Sequence, residues 1–419
     1  MGDRFFRNNV IYLTGTVAAG FFGYVYHFAT GRLLGPAEYS VVAAAISALY
    51  ILTLPGPVLQ TIAMRFASLA AARGPGGIRP LMNRIAVLAL GLAVVIALIL
   101  VLFGAAATSF LQISDHRVIY VLALATATAL LVAGNRGVLL GLRRFVDASV
   151  NAAVDTITRV LVALAMIGLG GNAVGAVFGV VVGPGLAYGH SLYLLRKQAD
   201  EQGPREVVSY GEVGRYALPT AAGVIGVTFL FNADVVLAKH YLEPAAAGIY
   251  AAGSVLARVV YFLGVTIAGV MFPEVATLHA RDETHFHVVD RSLLFLGGVS
   301  VAFVASYALF PSLVLIPYGS TFAAVKPLLG LFALALSLLA MSNLLVNYFL
   351  SIDNSRFVLP LGGACIHEVI LIVLFHNGPG QVLAMLLITL AVLTGALLTM
   401  YMLDRLHSRR PLPSPNTPA

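Results

Sequence analysis

The sequence has no tryptophan, a single cysteine and only 10% charged residues, against 59% hydrophobic ones. Soluble domains carry roughly 25% charged residues, and the fraction of a chain that folding can bury rises only slowly with size. A soluble core has no room for this much apolar surface, so the solvent for most of the chain is lipid. Cys365, being alone, excludes a disulfide framework within the chain and a cysteine-built zinc site. Without tryptophan, the interfacial aromatic belts rely on tyrosines such as Tyr12, Tyr39, Tyr250 and Tyr318. A P-loop lysine motif, a nucleophile elbow and a zinc-peptidase motif are also missing. The glycine cluster from Gly168 to Gly175 follows no strand, so it is no dinucleotide fingerprint. The net charge of +7 raises nucleic acid as a partner. The charges punctuate apolar runs instead of forming one basic surface, which argues against it.

A bilayer-crossing helix needs about 20 mostly apolar residues. By that ruler the chain is an all-α integral membrane protein with about twelve spans. The first six are Asn9–Thr30, Tyr39–Met64, Ile85–Phe103, Val118–Leu140, Val150–Leu169 and Ala173–Leu195. The second six are Tyr216–Leu237, Gly248–Phe272, Leu293–Leu315, Lys326–Leu350, Phe357–His376 and Val382–Leu403. A cleaved signal peptide behind Arg4 and Arg7 is set aside, because the first run is long enough to span and many similar runs follow.

Lysine and arginine accumulate in cytoplasmic loops. Counted alternately from an internal N-terminus, one set of loops holds Arg4, Arg7, Arg73, Arg79, Arg84, Arg143, Arg144, Arg196, Lys197, Arg205 and Arg215. It continues with Arg281, Arg291, Arg356, Arg405, Arg409 and Arg410, while the other set holds little beyond Arg32, Arg117, Lys239 and Lys326. Both termini are therefore expected in the cytoplasm. The end from residue 406 to 419 is Pro-rich and is expected to be a disordered tail.

A duplication runs through the chain. Leu34-Gly35-Pro36-Ala37 lines up with Leu242-Glu243-Pro244-Ala245, and one span later Ala67-Ser68-Leu69 lines up with Ala276-Thr277-Leu278. Two pseudo-symmetric six-helix bundles follow, 1–200 and 201–405. An even number of spans keeps orientation, so the halves are expected to relate by an axis along the membrane normal. The turn "LLGPAEYS" and the stretch "NADVVLAKHYLEPAAAGIYAAGSVLARVV" resemble polysaccharide flippases of the Wzx type, within the multidrug/oligosaccharidyl-lipid/polysaccharide exporter superfamily. The resemblance implies a V-shaped exporter fold. It also implies transfer of a polyprenyl-diphosphate oligosaccharide across the bacterial inner membrane by alternating access, for surface polysaccharide. The partners it implies are the lipid-linked oligosaccharide, membrane lipids and polymerase machinery, with the chain read as a monomer.

Ionisable groups inside a membrane are functional candidates, since each costs about 2.5–3.5 kcal/mol or more at the centre. A pyrophosphate substrate needs cations in a wet cavity, and arginine suits it because its planar fork bonds phosphate bidentately and stays charged. Arg258 and Arg159 lie deep, one in each half, with Arg32 and Lys239 at the outer mouth. Asp234, Asn232 and Glu368, with Asn343 and Asn347 on one helix face, are the candidates for ion coupling or for polar cavity lining. No cofactor or metal is expected; a coupling ion would be a proton or sodium. Other readings stay open: Asp155 and Arg159 neutralising each other, Arg258 bridging to Glu368 or Asp234, Arg136 and Arg65 snorkelling to headgroups. His279, His285 and His287 read as a solvated loop before they read as a metal site. Pro55 and Pro57 interrupt span two, Pro184 span six, and Pro219 lies early in span seven.

Two other functions compete. A cation-coupled exporter of small amphipathic molecules would have an apolar cavity with acidic residues. A polysaccharide polymerase or glycosyltransferase would need a larger loop or domain than this sequence offers.

Overall fold

The structure is a computed structural model that describes residues 2–72, 78–199 and 221–408. Arg73, Arg205, Arg215, Pro219, the first residues of span seven and the tail beyond 408 lie outside the described residues. Everything with regular structure inside them is helical. The first half contains α1 (Gly2–Leu52), α2 (Pro55–Ala72), α3 (Ile78–Leu102), α4 (Gly104–Phe110), α5 (Arg117–Gly141), α6 (Phe145–Gly168) and α7 (Ala173–Ala199). A helix α8 over 221–230 follows. The rest is α9 (Ala233–Tyr241), α10 (Pro244–Ala280), α11 (Phe286–Leu309), α12 (Pro311–Val314), α13 (Leu329–Ser351), α14 (Val358–Leu374) and α15 (Pro379–Ser408).

Eleven stretches of the described residues are long and apolar enough to cross a membrane. The first of them, Ala18–Leu52, is two helices that meet at Gly35, whose φ of 74° and ψ of 173° leave the helical region. A glycine tolerates that geometry, and Pro36 then opens the next helix at the position where its missing N–H costs nothing. Pro244 opens α10 in the same way. The duplicated Leu-x-Pro-Ala motif is thus one device used twice: a helix stop followed by a proline start. Counting both helices of α1, with α2 as the continuation of the second, gives the twelve passes expected from the sequence.

The prolines behave differently from one another. Span two stops at Leu52 and restarts at Pro55, as predicted. α7 instead runs through Pro184 without interruption, correcting the expected break in span six.

The helices divide by what they face. Only 17% of the apolar window of α3 is buried, and Val87, Val94, Leu98 and Leu102 stand exposed along it, as suits a lipid-facing helix. The window leading into α13 is 72% buried, with Phe332, Leu336, Leu339, Leu344 and Phe349 packed against neighbours. The chain packs as two compact units. One holds residues up to Ala221 with Val235–Ala252 and Leu315–Ala324; the other holds Ala222–Asp234, Gly253–Val314 and Val325 onward. In the first, Ala63, Ala67, Met82, Ile85, Val138, Leu139, Ala148 and Leu195 form one core cluster, joining α2, α3, α5, α6 and α7. In the second, α13 packs on α11 and α15, and α14 on α15.

Candidate functional site

In the first unit the site is built on one face of α6. Asn151, Asp155 and Arg159 recur every four residues, so helical geometry stacks them one above another. The Asp155 carboxylate is buried and takes a bidentate grip from Arg159, Nε to Oδ1 at 2.7 Å and Nη2 to Oδ2 at 3.1 Å. Arg136 of α5 donates to the same carboxylate at 2.9 Å and to Asn151 Oδ1 at 2.8 Å. Asn151 passes its own amide hydrogen to the Ala187 carbonyl of α7 at 2.6 Å. Two guanidiniums therefore share one carboxylate across two helices, and Asn151 ties the group to a third. The Asp155 side chain is 3% exposed, the two arginines 22% and 25%. What the cluster leaves partly accessible is arginine side chain.

Close helix approach makes this possible. A Cβ on Gly183 of α7 would fall 2.5 Å from Arg159 Cγ and 2.6 Å from the Asp155 carbonyl, so only glycine fits there. Arg136 does not snorkel to headgroups; the tertiary approach of α5 to α6 turns it inward. Its partners were half legible, since Asn151, Asp155 and Arg159 form a polar stripe on an otherwise apolar helix.

Arg32 and Lys239, paired at the outer mouth in the sequence reading, are not equivalent. Arg32 is exposed, with a long contact of 3.5 Å from Nη1 to the Ile316 carbonyl. Lys239 is 2% exposed, its Nζ 3.4 Å from the Gln112 carbonyl. Around it, Gln112 Nε2 donates to the His240 carbonyl at 2.6 Å and the His240 ring stacks on Phe110 at 3.9 Å. The ammonium is enclosed where α9 meets the turn after α4 and is not offered to solvent.

In the second unit the site sits at a broken helix. α8 ends at 230, Phe231 and Asn232 turn, and α9 begins at Ala233. Such a break frees backbone carbonyls inside the membrane, where they must find partners. Arg258 of α10 supplies one: Nη2 donates to the Phe231 carbonyl at 3.1 Å and to Asn232 Oδ1 at 3.3 Å. Its guanidinium also lies over the Phe231 ring at 4.3 Å, a cation–π contact. Arg258 is 5% exposed, its Nε makes no hydrogen bond, and among the described residues no carboxylate bonds it. It therefore does not form the expected bridge to Glu368 or Asp234.

Asp234, buried in the first turn of α9, has the helix N-terminus at hand, which favours negative charge. It accepts from Ser254 Oγ at 3.4 Å. Glu368 of α14 is fully buried, neither carboxylate oxygen makes a hydrogen bond, and Asp234 is the acid within electrostatic reach of it. Asn347 Nδ2 donates to the Asn343 backbone carbonyl at 2.8 Å and reaches the Asn343 Oδ1 at 3.4 Å, so Asn347 is tied back to Asn343 on α13. The structure thus brings Arg258 to Asn232 and Asn343 to Asn347, and leaves Glu368 without a bonded partner among the described residues.

Of the three histidines, His279 and His287 are exposed as expected and His285 is not. His285 is 8% exposed, with the His279 ring 5.4 Å away, so it is no solvated loop residue. Among the described residues no group of three metal-ligating side chains occurs.

Residues 5–279 match a family described as polysaccharide biosynthesis protein. No curated protein matches the chain. The fold is similar to a multidrug resistance MATE family transporter of the MOP superfamily in an inward-facing conformation. That likeness has a TM-score of 0.72 at 13% identity and covers 91% of this chain and 94% of the transporter. It is also similar to the lipid II flippase MurJ in an inward closed conformation, with a TM-score of 0.69 at 14% identity, covering 93% of this chain and 87% of MurJ. At these identities the likeness is one of fold.

Proposed function

The chain belongs to the polysaccharide biosynthesis protein family, and from that premise we propose that it flips polyprenyl-diphosphate oligosaccharides across the bacterial inner membrane by alternating access. It is a multi-pass membrane protein of a transporter fold, and its work is translocation, not bond-making. The observation that carries the substrate class is the Arg136–Asp155–Arg159 cluster. Two cations on one buried anion leave one net positive charge on two arginine side chains that remain partly exposed, 22% and 25%, which suits a diphosphate. Arg258, with an uncommitted Nε, is the cation of the second unit's own site. Arg32 is the accessible cation at the outer end, and Lys239 serves there only after it is released from Gln112. Asn232, Asn343 and Asn347 supply polar lining.

Glu368 and Asp234 are the coupling acids, taking a proton or sodium. A buried, unbonded carboxylate costs several kcal/mol if it stays charged and alone, and a bound cation removes that cost. The same acids favour the competing reading, a cation-coupled exporter of small amphipathic molecules. Both termini face the cytoplasm, and the chain acts as a monomer beside the polymerase that consumes its product.

Reconstitution decides between the two. Proteoliposomes loaded with a fluorescent lipid-linked oligosaccharide should expose it to a membrane-impermeant quencher several times faster with the protein than without. Arg159→Ala should remove most of that rate while transport of a cationic dye stays at background. Dye transport without glycan flipping would overturn the flippase reading.

A further inference from the structure

A cavity at one end of the second unit plays no part in the flipping reading. Its volume is about 370 Å³, and it is lined by His285, Phe286, Tyr348, Ile352, Arg356 and Asp404. Small-molecule sites start at about this size. His285 precedes α11, Arg356 lies between α13 and α14, and Asp404 is near the end of α15. This is the face to which the arginine bias assigns the cytoplasm.

The wall of the cavity is rigid. The His285 ring lies 4.6 Å from Phe286 and 5.8 Å from Tyr348. Tyr348 packs edge-on against Tyr401 at 5.2 Å, and Tyr401 is pinned by its hydroxyl, which donates to Asp290 at 2.8 Å. Against this wall sit three polar atoms without partners. Among the described residues, both ring nitrogens of buried His285 and the hydroxyl of buried Tyr348 make no hydrogen bond. The Glu283 backbone is near enough to act on the ring electrostatically but gives it no hydrogen-bond geometry. Buried polar atoms are nearly always satisfied, so several orphans at one cavity ask for a ligand.

The charges at the rim say which kind. Arg356 is exposed and Asp404 half-buried, and neither forms an ion pair among the described residues. A free guanidinium and a free carboxylate at one cavity match a ligand carrying both signs. Guanidinium, imidazole N–H and phenol O–H are all donors and converge on a phosphate. The carboxylate matches a primary ammonium. Ile352 and Phe286 add apolar surface beside them.

We propose that this cavity binds a phosphoethanolamine group, with Arg356, His285 and Tyr348 taking the phosphate and Asp404 the ammonium. The group reaches it either as the headgroup of a bilayer phospholipid or as a soluble ester. The site is separate from Arg258 and Glu368 and serves retention or regulation, not translocation.

Full-length protein in mild detergent is titrated with short-chain phosphatidylethanolamine, short-chain phosphatidylglycerol and glycerophosphoethanolamine, with native mass spectrometry as the readout. Phosphatidylethanolamine should fill one site about tenfold more tightly than phosphatidylglycerol, the size of one charge-assisted contact. Asp404→Asn should abolish that preference while leaving the phosphate contact. Arg356→Ala should weaken both lipids by about tenfold. Both positions are open enough to tolerate substitution, and a melting curve for each variant checks it. If glycerophosphoethanolamine binds as tightly as the lipid, the soluble ester is the source; if only the acylated form binds, the bilayer is. Equal affinity for the two lipids, or a preference that survives Asp404→Asn, overturns the proposal. Binding is the readout, so the outcome stands whatever the protein transports.

Discussion

Two deep arginines, one in each unit, are held by opposite means. Arg159 is neutralised by a carboxylate one turn away on its own helix, and that carboxylate is shared with Arg136. Among the described residues Arg258 has no bonded carboxylate; a carbonyl freed by a helix break, an amide oxygen and a ring face hold it. The first arrangement works through countercharge and stays cationic only because arginines outnumber the aspartate. The second works through dipoles and leaves the charge of Arg258 uncancelled by any direct bond. A membrane protein can thus present a guanidinium in two ways, and the two should fail differently.

The largest failure should come from removing Asp155. Its loss leaves two guanidiniums facing each other in a site that excludes most water. Breaking a buried pair by deleting one partner costs about 3–5 kcal/mol, and the partial exposure of the arginines argues for the lower end. Asp155→Ala should therefore unfold in detergent at clearly lower temperature than Arg159→Ala, which leaves Asp155 still bonded to Arg136. Equal melting temperatures for the two variants would erase the idea that one anion organises the cluster.

Arg258→Ala should cost less stability, about 1–3 kcal/mol, chiefly from the orphaned Phe231 carbonyl and the lost ring contact. Its effect on flipping should be larger than its effect on folding. Asn232→Ala removes only one of the contacts and should fall between Arg258→Ala and wild type in both assays. If Arg258→Ala proves as destabilising as Asp155→Ala, a countercharge holds Arg258 as well and the contrast fails.

The contrast also marks what the sequence could reveal. Spans were legible because each is a long apolar run bounded by charge, and the Leu-Gly-Pro and Leu-Glu-Pro turns because proline opens helices. Asp155 and Arg159 were legible because spacing by four is a local property. Arg136 was not, because its partners come from the approach of α5 to α6, which is a tertiary contact between separate helices. The break at Phe231–Asn232 carries neither glycine nor proline; its only trace was Asn232 and Asp234 in an apolar stretch. The burial of Lys239 and His285 likewise depends on residues distant in sequence, Gln112 for one and Tyr348 for the other. Local spacing was readable, and tertiary enclosure was not.

Gly183 tests the approach of helices in the countercharged site alone. Gly183→Ala would place a methyl against Arg159 Cγ and the Asp155 carbonyl, and overpacking of this kind costs about 1–3 kcal/mol. Part of that is offset by the higher helix propensity of alanine. Flipping should drop with stability, while any readout of the Arg258 site, such as the effect of Asn232→Ala, should be unchanged. Glycine-to-alanine at Gly362 of α14, where a Cβ would meet nothing within 4 Å, is the matched control and should be close to neutral.

The smallest effect expected is on pH dependence, outside the membrane spans. Burial holds His285 below the ordinary imidazole value of 6.5, opposed by the Glu283 backbone and by Asp404 and aided by the nearby His279 and His287. The unfolded chain takes up that proton more readily than the folded one. The stability contributed by neutral His285 is therefore complete above about pH 6.5 and is lost as pH falls below it. Melting temperature should decline between pH 7.5 and 5.5 more steeply in wild type than in His285→Gln. A phosphate bound beside the ring would favour its charged form, so added phosphatidylethanolamine should flatten the wild-type slope and leave the variant's alone. Parallel slopes without lipid would show that the buried ring titrates as it does in water, and that its enclosure in the second unit has no energetic consequence.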